Sequence, residues 1–209
     1  MSEHLSCEEA ATLPCAGDSM GRANGPSAGN RGRHGPNPGF RGCRGLCVAI
    51  RSALGCSGDR DDLDCGKAER LKALGASDVI NYSETPDWDA KVRELTDGRG
   101  VDCVVEIGGP GTIAMSLSAL AVGGHVSLIG ASLSPSGAGL DPLLLTGRGI
   151  TVGSISVGSR ADFEAMNRAI AMHRLHPVID RIFPFAEAKE AYRHFEGRGH
   201  FGKVVITHL

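Results

Sequence analysis

The sequence predicts an α/β fold built on a parallel sheet, and three observations carry that prediction. Residues 102–107 form a short run rich in β-branched side chains that stops at Gly108-Gly109-Pro110-Gly111. Such a run reads as a buried strand ending in a tight, glycine-lined turn. Thr112 can then cap a helix whose apolar positions Ile113, Leu117, Leu120 and Ala121 recur at helical spacing. Gly123-Gly124 is expected to stop that helix, and residues 125–129 read as a second strand ending at Gly130. Strand, covering helix and strand make a βαβ unit, whose two strands pair in parallel. Ligands of such sheets lie outside the carboxyl ends of the strands, here residues 106–109 and 129–132.

Composition narrows the function. The 209 residues carry a formal net charge of −2, so no basic field suggests nucleic acid and no polybasic segment suggests a membrane surface. No run of about 18 apolar residues is present to span a bilayer. The acidic opening MSEHLSCEEAAT lacks the layout of a signal peptide. Seven cysteines, an odd number without secretory context, read as reduced thiols in a cytoplasmic protein.

In chain order, Ser6 and Glu9 spell a capping box, and Pro14 ends the short helix that follows. A helix is predicted over 68–74, closed by Gly75, and a short strand over 79–82. Residues 87–96 are amphipathic, with Trp88, Val92 and Leu95 on one side and Gly98 as the stop. After the βαβ unit come a short helix over 141–146, a strand over 150–157 and a turn at Gly158-Ser159-Arg160. Ser159 or Asp162 caps a long helix ending near His173. A strand over 178–183, a helix over 186–196 and a strand over 203–207 close the chain. His173 and His176, three residues apart at a helix end, suit the negative end of the helix dipole.

VDCVVEIGGPGT followed by GGHVSLIG resembles the second half of the nucleotide domain in medium-chain dehydrogenase/reductases. These are the zinc-type alcohol dehydrogenases and their quinone-oxidoreductase relatives. LSCEEAATLPCAG (5–17), LKALGASDVINY (71–82), ITVGSISVGSRADFEAMNRAI (150–170) and FPFAEAKEAYRHFEGRGHFGKVVI (183–206) extend the resemblance. It implies a partial Rossmann-type doubly wound parallel sheet with a C-terminal remnant of the catalytic domain. The implied divisions are a lead-in at 1–17, an irregular segment at 18–66, the nucleotide-binding part at 67–184 and the remnant at 185–209. The first part of the catalytic domain is expected to be missing, leaving the returning elements without their packing partner.

Residues 18–65 depart from the family. Glycine and arginine crowd this stretch, and Gly39, Gly42 and Gly45 have the wrong spacing for G-x-G-x-x-G. Reading from the second base of each codon can restore TAW at 18–20, LGSGGV at 38–43 and GARVIATTS at 55–63, in family order. A reading-frame slip is therefore inferred, and codons incompatible with those strings would exclude it. A disordered Gly/Arg-rich linker is the alternative. Cys43, Cys47, Cys56 and Cys65 have spacings that fit neither paired C-x-x-C knuckles nor the family's structural zinc lobe.

The resemblance also implies NAD(P)-dependent oxidation of an alcohol, or reduction of a carbonyl or quinone-like acceptor. Gly108, Gly109 and Gly130 would let backbone approach ribose and nicotinamide, or would serve simply as turn glycines. Lys67 and Tyr82 match positions that contact the adenosine phosphate; otherwise they are a solvated lysine and a half-buried strand tyrosine. Lys203 matches a basic position near the pyrophosphate, or is a surface charge. Val157, Gly158 and Ser159 could line the nicotinamide side or form a plain turn. With no acidic ribose contact in view, NADP is favoured over NAD.

Cys15 matches a catalytic zinc ligand of some zinc-type alcohol dehydrogenases. Its companions would come from the absent domain, so a buried thiol is the better reading and this chain alone does not support zinc. No general acid or base can be named. The expected partners are a small-molecule substrate and a second copy joined through the sheet edge after Ile150, with no nucleic acid and no membrane. The competing reading is an inactive fragment that pairs with related subunits.

Overall fold

In the computed structural model, residues 3–14, 65–129, 142–155, 157–197 and 199–208 are described. These residues form two units, one of 65–155 and the other of 3–14 with 157–208. The readings placed on 18–64, Cys15 and Gly130 lie outside the described residues.

The larger unit opens with α2 (Cys65–Ala73), preceded in the chain by α1 (Cys7–Ala11) of the other unit. Gly75, at φ +101°, closes α2: its N–H bonds Lys72 O, and Ala76 N–H bonds Leu71 O. That pair of bonds satisfies carbonyls the helix end leaves open, and only a residue tolerant of positive φ makes it easily. No strand forms over 79–82. Asn81 Oδ1 instead accepts from the backbone N–H and hydroxyl of Ser83 at 3.1 and 2.6 Å, and this local turn competes with extended pairing.

α3 (Trp88–Leu95) buries Trp88 and Val92, while Leu95, expected on the same side, is exposed. Asp97 rather than Gly98 takes the first left-handed position after it, at φ 52°. The two central strands are β1 (Val101–Glu106) and β2 (Leu120–Ile129), joined through α4 (Ile113–Ala119). After α5 (Pro142–Thr146) comes β3 (Thr151–Ile155). All three strands pair in parallel in the order β1-β2-β3.

Gly123-Gly124 does not stop α4. The helix already ends at Ala119, and Leu120 and Ala121 belong to the strand rather than to the helix face. Val101 pairs with Leu120 and Cys103 with His125, so residues between them bulge out of register. Gly123 supplies φ +75° at this bulge, and a Cβ on Gly124 would lie 2.9 Å from Ala121 O. Glycine inside a strand pattern marks a bulge as readily as a boundary. The core between sheet and helices is Trp88, Val92, Val101, Val104, Leu117, Leu120, Val126 and Ile150.

In the smaller unit, the Ser6–Glu9 capping box forms as read. So does the cap of α6 (Arg160–His173), with Ser159 and Asp162 bonded reciprocally. β4 (Ile179–Pro184) pairs in parallel with β5 (Lys203–Thr207), and α7 (Ala188–Glu196) packs against both. His176 lies beyond α6, and its ring nitrogen meets Glu9 Oε1 at 2.7 Å.

Asp180 ties the closing elements together, with His194 Nε2 at 2.7 Å and Phe201 N–H at 2.9 Å. Burial pushes its carboxyl up, but the Phe201 N–H and the bond and charge of His194, with the charge of His200, outweigh burial and hold it below its ordinary value. A depressed folded-state carboxyl contributes stability that is complete above its unfolded value of about 3.9 and is lost as pH falls through the folded value. Acid titration of the wild type and Asp180→Asn should show this: the variant is less stable at neutral pH, and its stability falls less steeply below about pH 4. Parallel acid limbs for the two proteins would refute the linkage.

Candidate functional site at the carboxyl end of the first strand

Glu106 is the last residue of β1, and its side chain is 1% exposed. A carboxylate at such depth needs donors on its oxygens. Oε1 accepts from Gly108 N–H at 2.6 Å, Gly109 N–H at 3.0 Å and the Thr112 hydroxyl at 2.7 Å. Oε2 accepts from the Ser116 hydroxyl. Strand end, turn and the first turn of α4 are thus wound around one acid.

Thr112 is therefore not the side-chain cap expected of it. Its hydroxyl is directed to Glu106, and the start of α4 has no side-chain cap bond. Gly108 is required by the turn itself, because a Cβ there would lie 2.4 Å from Thr112 Oγ1. Gly109 takes φ +80°, and the brief 3₁₀ turn Gly109–Gly111 leads into α4. The missing Cβ of Gly108 is directed inward, at Thr112 and Glu106, whereas the Gly111 position opens on nothing within 4 Å. That open position fits the close approach of a flat ring or a ribose, so the turn is compatible with a nicotinamide nucleotide.

The other sequence-derived residues are placed as follows. Lys67 is half-buried on α2, and Tyr82 is exposed in the Asn81 turn rather than on a strand. Both belong to the unit that holds Gly108 and Gly109. Lys203 opens β5 in the other unit, with its N–H on Val178 O at 2.9 Å. Val157, Gly158 and Ser159 also belong to that unit, and Ser159 is occupied with Asp162.

His125 stands at the opposite, amino end of the paired strands, 2.8 Å from Thr151 Oγ1. Burial lowers its pKa, so it is neutral at neutral pH and away from the ligand edge. Among the described residues, no three His, Cys, Asp or Glu side chains converge as metal ligands. The described residues therefore supply no zinc site.

Sequence reasoning missed Glu106 and Arg93. A charge inside an apolar run, followed by Gly-Gly and hydroxyls six and ten residues on, is a legible sign of a buried acid wired to its turn. Arg93 donates to Ser118 O at 2.9 and 2.7 Å, Leu120 O at 2.9 Å and Gly98 O at 2.9 Å, holding the base of α4.

Parallel strands with helices packed on them, and a bare turn at the carboxyl end of β1, define an α/β protein of the nucleotide-binding architectural class. The chain belongs to the zinc-binding dehydrogenase family, which it matches over residues 74–206. It is 35% identical to a zinc-type alcohol dehydrogenase-like protein of Schizosaccharomyces pombe, over 98% of this chain and 61% of that protein. Identity to an NAD-dependent alcohol dehydrogenase of Saccharolobus solfataricus is 32%, over 66% of this chain and 39% of that protein. A solved structure assigned as an alcohol dehydrogenase of Sinorhizobium meliloti superposes with a TM-score of 0.72 at 31% identity, over 98% of this chain and 60% of that one. The chain thus spans about 60% of the length of the S. pombe and S. meliloti proteins. Medium-chain dehydrogenase/reductase ancestry, read from the residues, is confirmed. Among the described residues, no helix is long and apolar enough to cross a membrane.

Proposed function

We infer that this chain provides the cofactor-holding part of an NAD(P)-dependent oxidoreductase acting on an alcohol, a carbonyl or a quinone-like acceptor. The observation that carries this reading is the Glu106-organised turn at the carboxyl end of β1 in a chain of the zinc-binding dehydrogenase family. A bound nicotinamide supplies the hydride chemistry. The chain's own residues bind and orient: the glycine turn at Gly108 and Gly109 lets backbone approach ribose and ring. Lys67 and Tyr82 meet the adenosine end. A lysine ammonium suits a 2′-phosphate, which favours NADP; the similarity to an NAD-dependent enzyme pulls the other way. The residues support a cytoplasmic setting and a second copy joined through β3, an outer strand of the described three-stranded sheet.

The test is a titration with NADPH and with NADH, following emission from Trp88, the one tryptophan and a buried member of the core. Saturable quenching is expected with both, and NADPH should bind up to about fivefold tighter, the scale of an exposed ion pair. Lys67→Ala should erase that preference. Absence of a saturable change with either cofactor would defeat the reading.

A further inference from the structure

Among the described residues, β3 pairs only with β2. Its first register pair is Thr151 with His125, and Cys103 on β1 stands opposite His125 on the other side. Register partners share one face of a sheet, so Cys103, His125 and Thr151 form a row at its amino end. His125 Nδ1 lies 2.8 Å from Thr151 Oγ1. The ring reaches over Gly153, where a Cβ would lie 3.1 Å from Cε1 and 3.5 Å from Nε2. A hydroxyl on one side and a missing side chain on the other thus seat the imidazole of β2 on the outer strand.

That seat suits a neutral ring. Burial is what lowers the His125 pKa, and no carboxylate among the described residues bonds to the ring. On β1 the row offers the Cys103 thiol, and the neighbouring Asp102 is paired with Arg99. Ahead of β3, the Arg148 guanidinium is directed to Leu117 O and Ser118 O and brings no negative charge. A proton on the ring therefore places an uncompensated charge in a partly desolvated position.

We propose that His125 is an acid-sensitive latch on β3: the neutral ring closes the β2–β3 row over Thr151 and Gly153, and its protonation releases the amino end of the outer strand. A histidine disfavoured as the cation in the folded state contributes stability that is complete above its unfolded value of about 6.5. That stability is lost as pH falls toward the folded value. The latch thus opens in mild acid, above the range in which Asp180 titrates in the smaller unit, and it acts whichever ligand the carboxyl end of the sheet receives.

Hydrogen exchange on the full chain, run on either side of the ordinary histidine value of about 6.5 and corrected for the intrinsic rate, tests the latch. Amides of residues 151–155 should lose protection on the acid side, by at most the roughly tenfold per pH unit that one proton allows. The His125 ring, followed by NMR, should titrate below the ordinary histidine value. His125→Gln keeps a polar group for Thr151 but takes no proton, so it should remove the pH dependence of β3. Gly153→Ala should push the ring off its seat, weaken β3 at neutral pH and return the titration toward the ordinary value. Should the glutamine variant fail to fold, the wild type and Gly153→Ala decide.

Protection of β3 that stays constant through the histidine range, or an equal acid loss in His125→Gln, would overturn the latch. So would a His125 ring that titrates at or above the ordinary value. Each of these outcomes leaves nicotinamide binding untouched, since the cofactor titration is read at neutral pH.

Discussion

Gly100→Ala is expected to destabilise the larger unit by roughly 2–5 kcal/mol, combining a left-handed backbone with an overpacked contact. Gly100 has φ +85°, a conformation that disfavours any L side chain. A Cβ at this position would lie 2.6 Å from Ala119 O and 2.7 Å from both Leu120 C and Leu120 O. These atoms are backbone at the junction of α4 and β2, so no rotamer change relieves the clash. The base of α4 must move away from the start of β1, opening the core around Leu117, Leu120 and Val101. Urea unfolding followed by Trp88 emission measures the loss. A neighbouring control, Gly98→Ala, shares the positive φ at +81° but meets nothing within 4 Å, and should cost only about 1–2 kcal/mol. Equal losses at the two sites would show that the contact with α4 contributes nothing.

Arg93→Ala should destabilise the same unit by roughly 2–3 kcal/mol, because charge-assisted bonds to half-buried carbonyls are lost together. The guanidinium bonds Ser118 O and Leu120 O at the end of α4 and Gly98 O before β1. The Ser118 carbonyl is one that the end of α4 leaves without an intrahelical partner, and a cation there also complements the helix dipole. Arg148 approaches the same place, with Nη1 3.3 Å from Leu117 O and Ser118 O. Its pKa is lowered first by burial and then by the charge of Arg93. Removing Arg93 relieves that repulsion, which keeps the net cost below a simple sum of bonds. Arg93→Lys should recover little, since one ammonium cannot reach three carbonyls through a planar fork. Full recovery with lysine would mean that charge alone, rather than the fork, holds the junction.

Both predictions concern residues whose roles were hidden in the chain. The parallel α/β class was legible, as were most elements near their observed bounds: β1, β5, α6 and the Ser6–Glu9 capping box follow from local periodicity and cap spacing, whereas the choice between Ser159 and Asp162 was left open and the structure uses both. The Val79–Tyr82 strand failed because Asn81 turns on its own side chain. Leu120 was assigned to the helix because its spacing from Ile113 and Leu117 is helical, yet pairing with Val101 drew it into β2. Glycines 108 and 109 were legible as a turn after the strand, but that their amides serve Glu106 was not.

The sequence alone determined the family, the order of strand and helix, and the position of the glycine turn, because these depend on neighbours along the chain. Only the tertiary structure decided that Arg93 would reach Ser118 and Leu120, 25 and 27 residues away, that Gly100 would lie under the end of α4, and that Glu106 would be sealed inside its turn. Each of these depends on which distant backbone folding brings against a given side chain. Low dielectric and steric contact act on that proximity, which local periodicity does not encode.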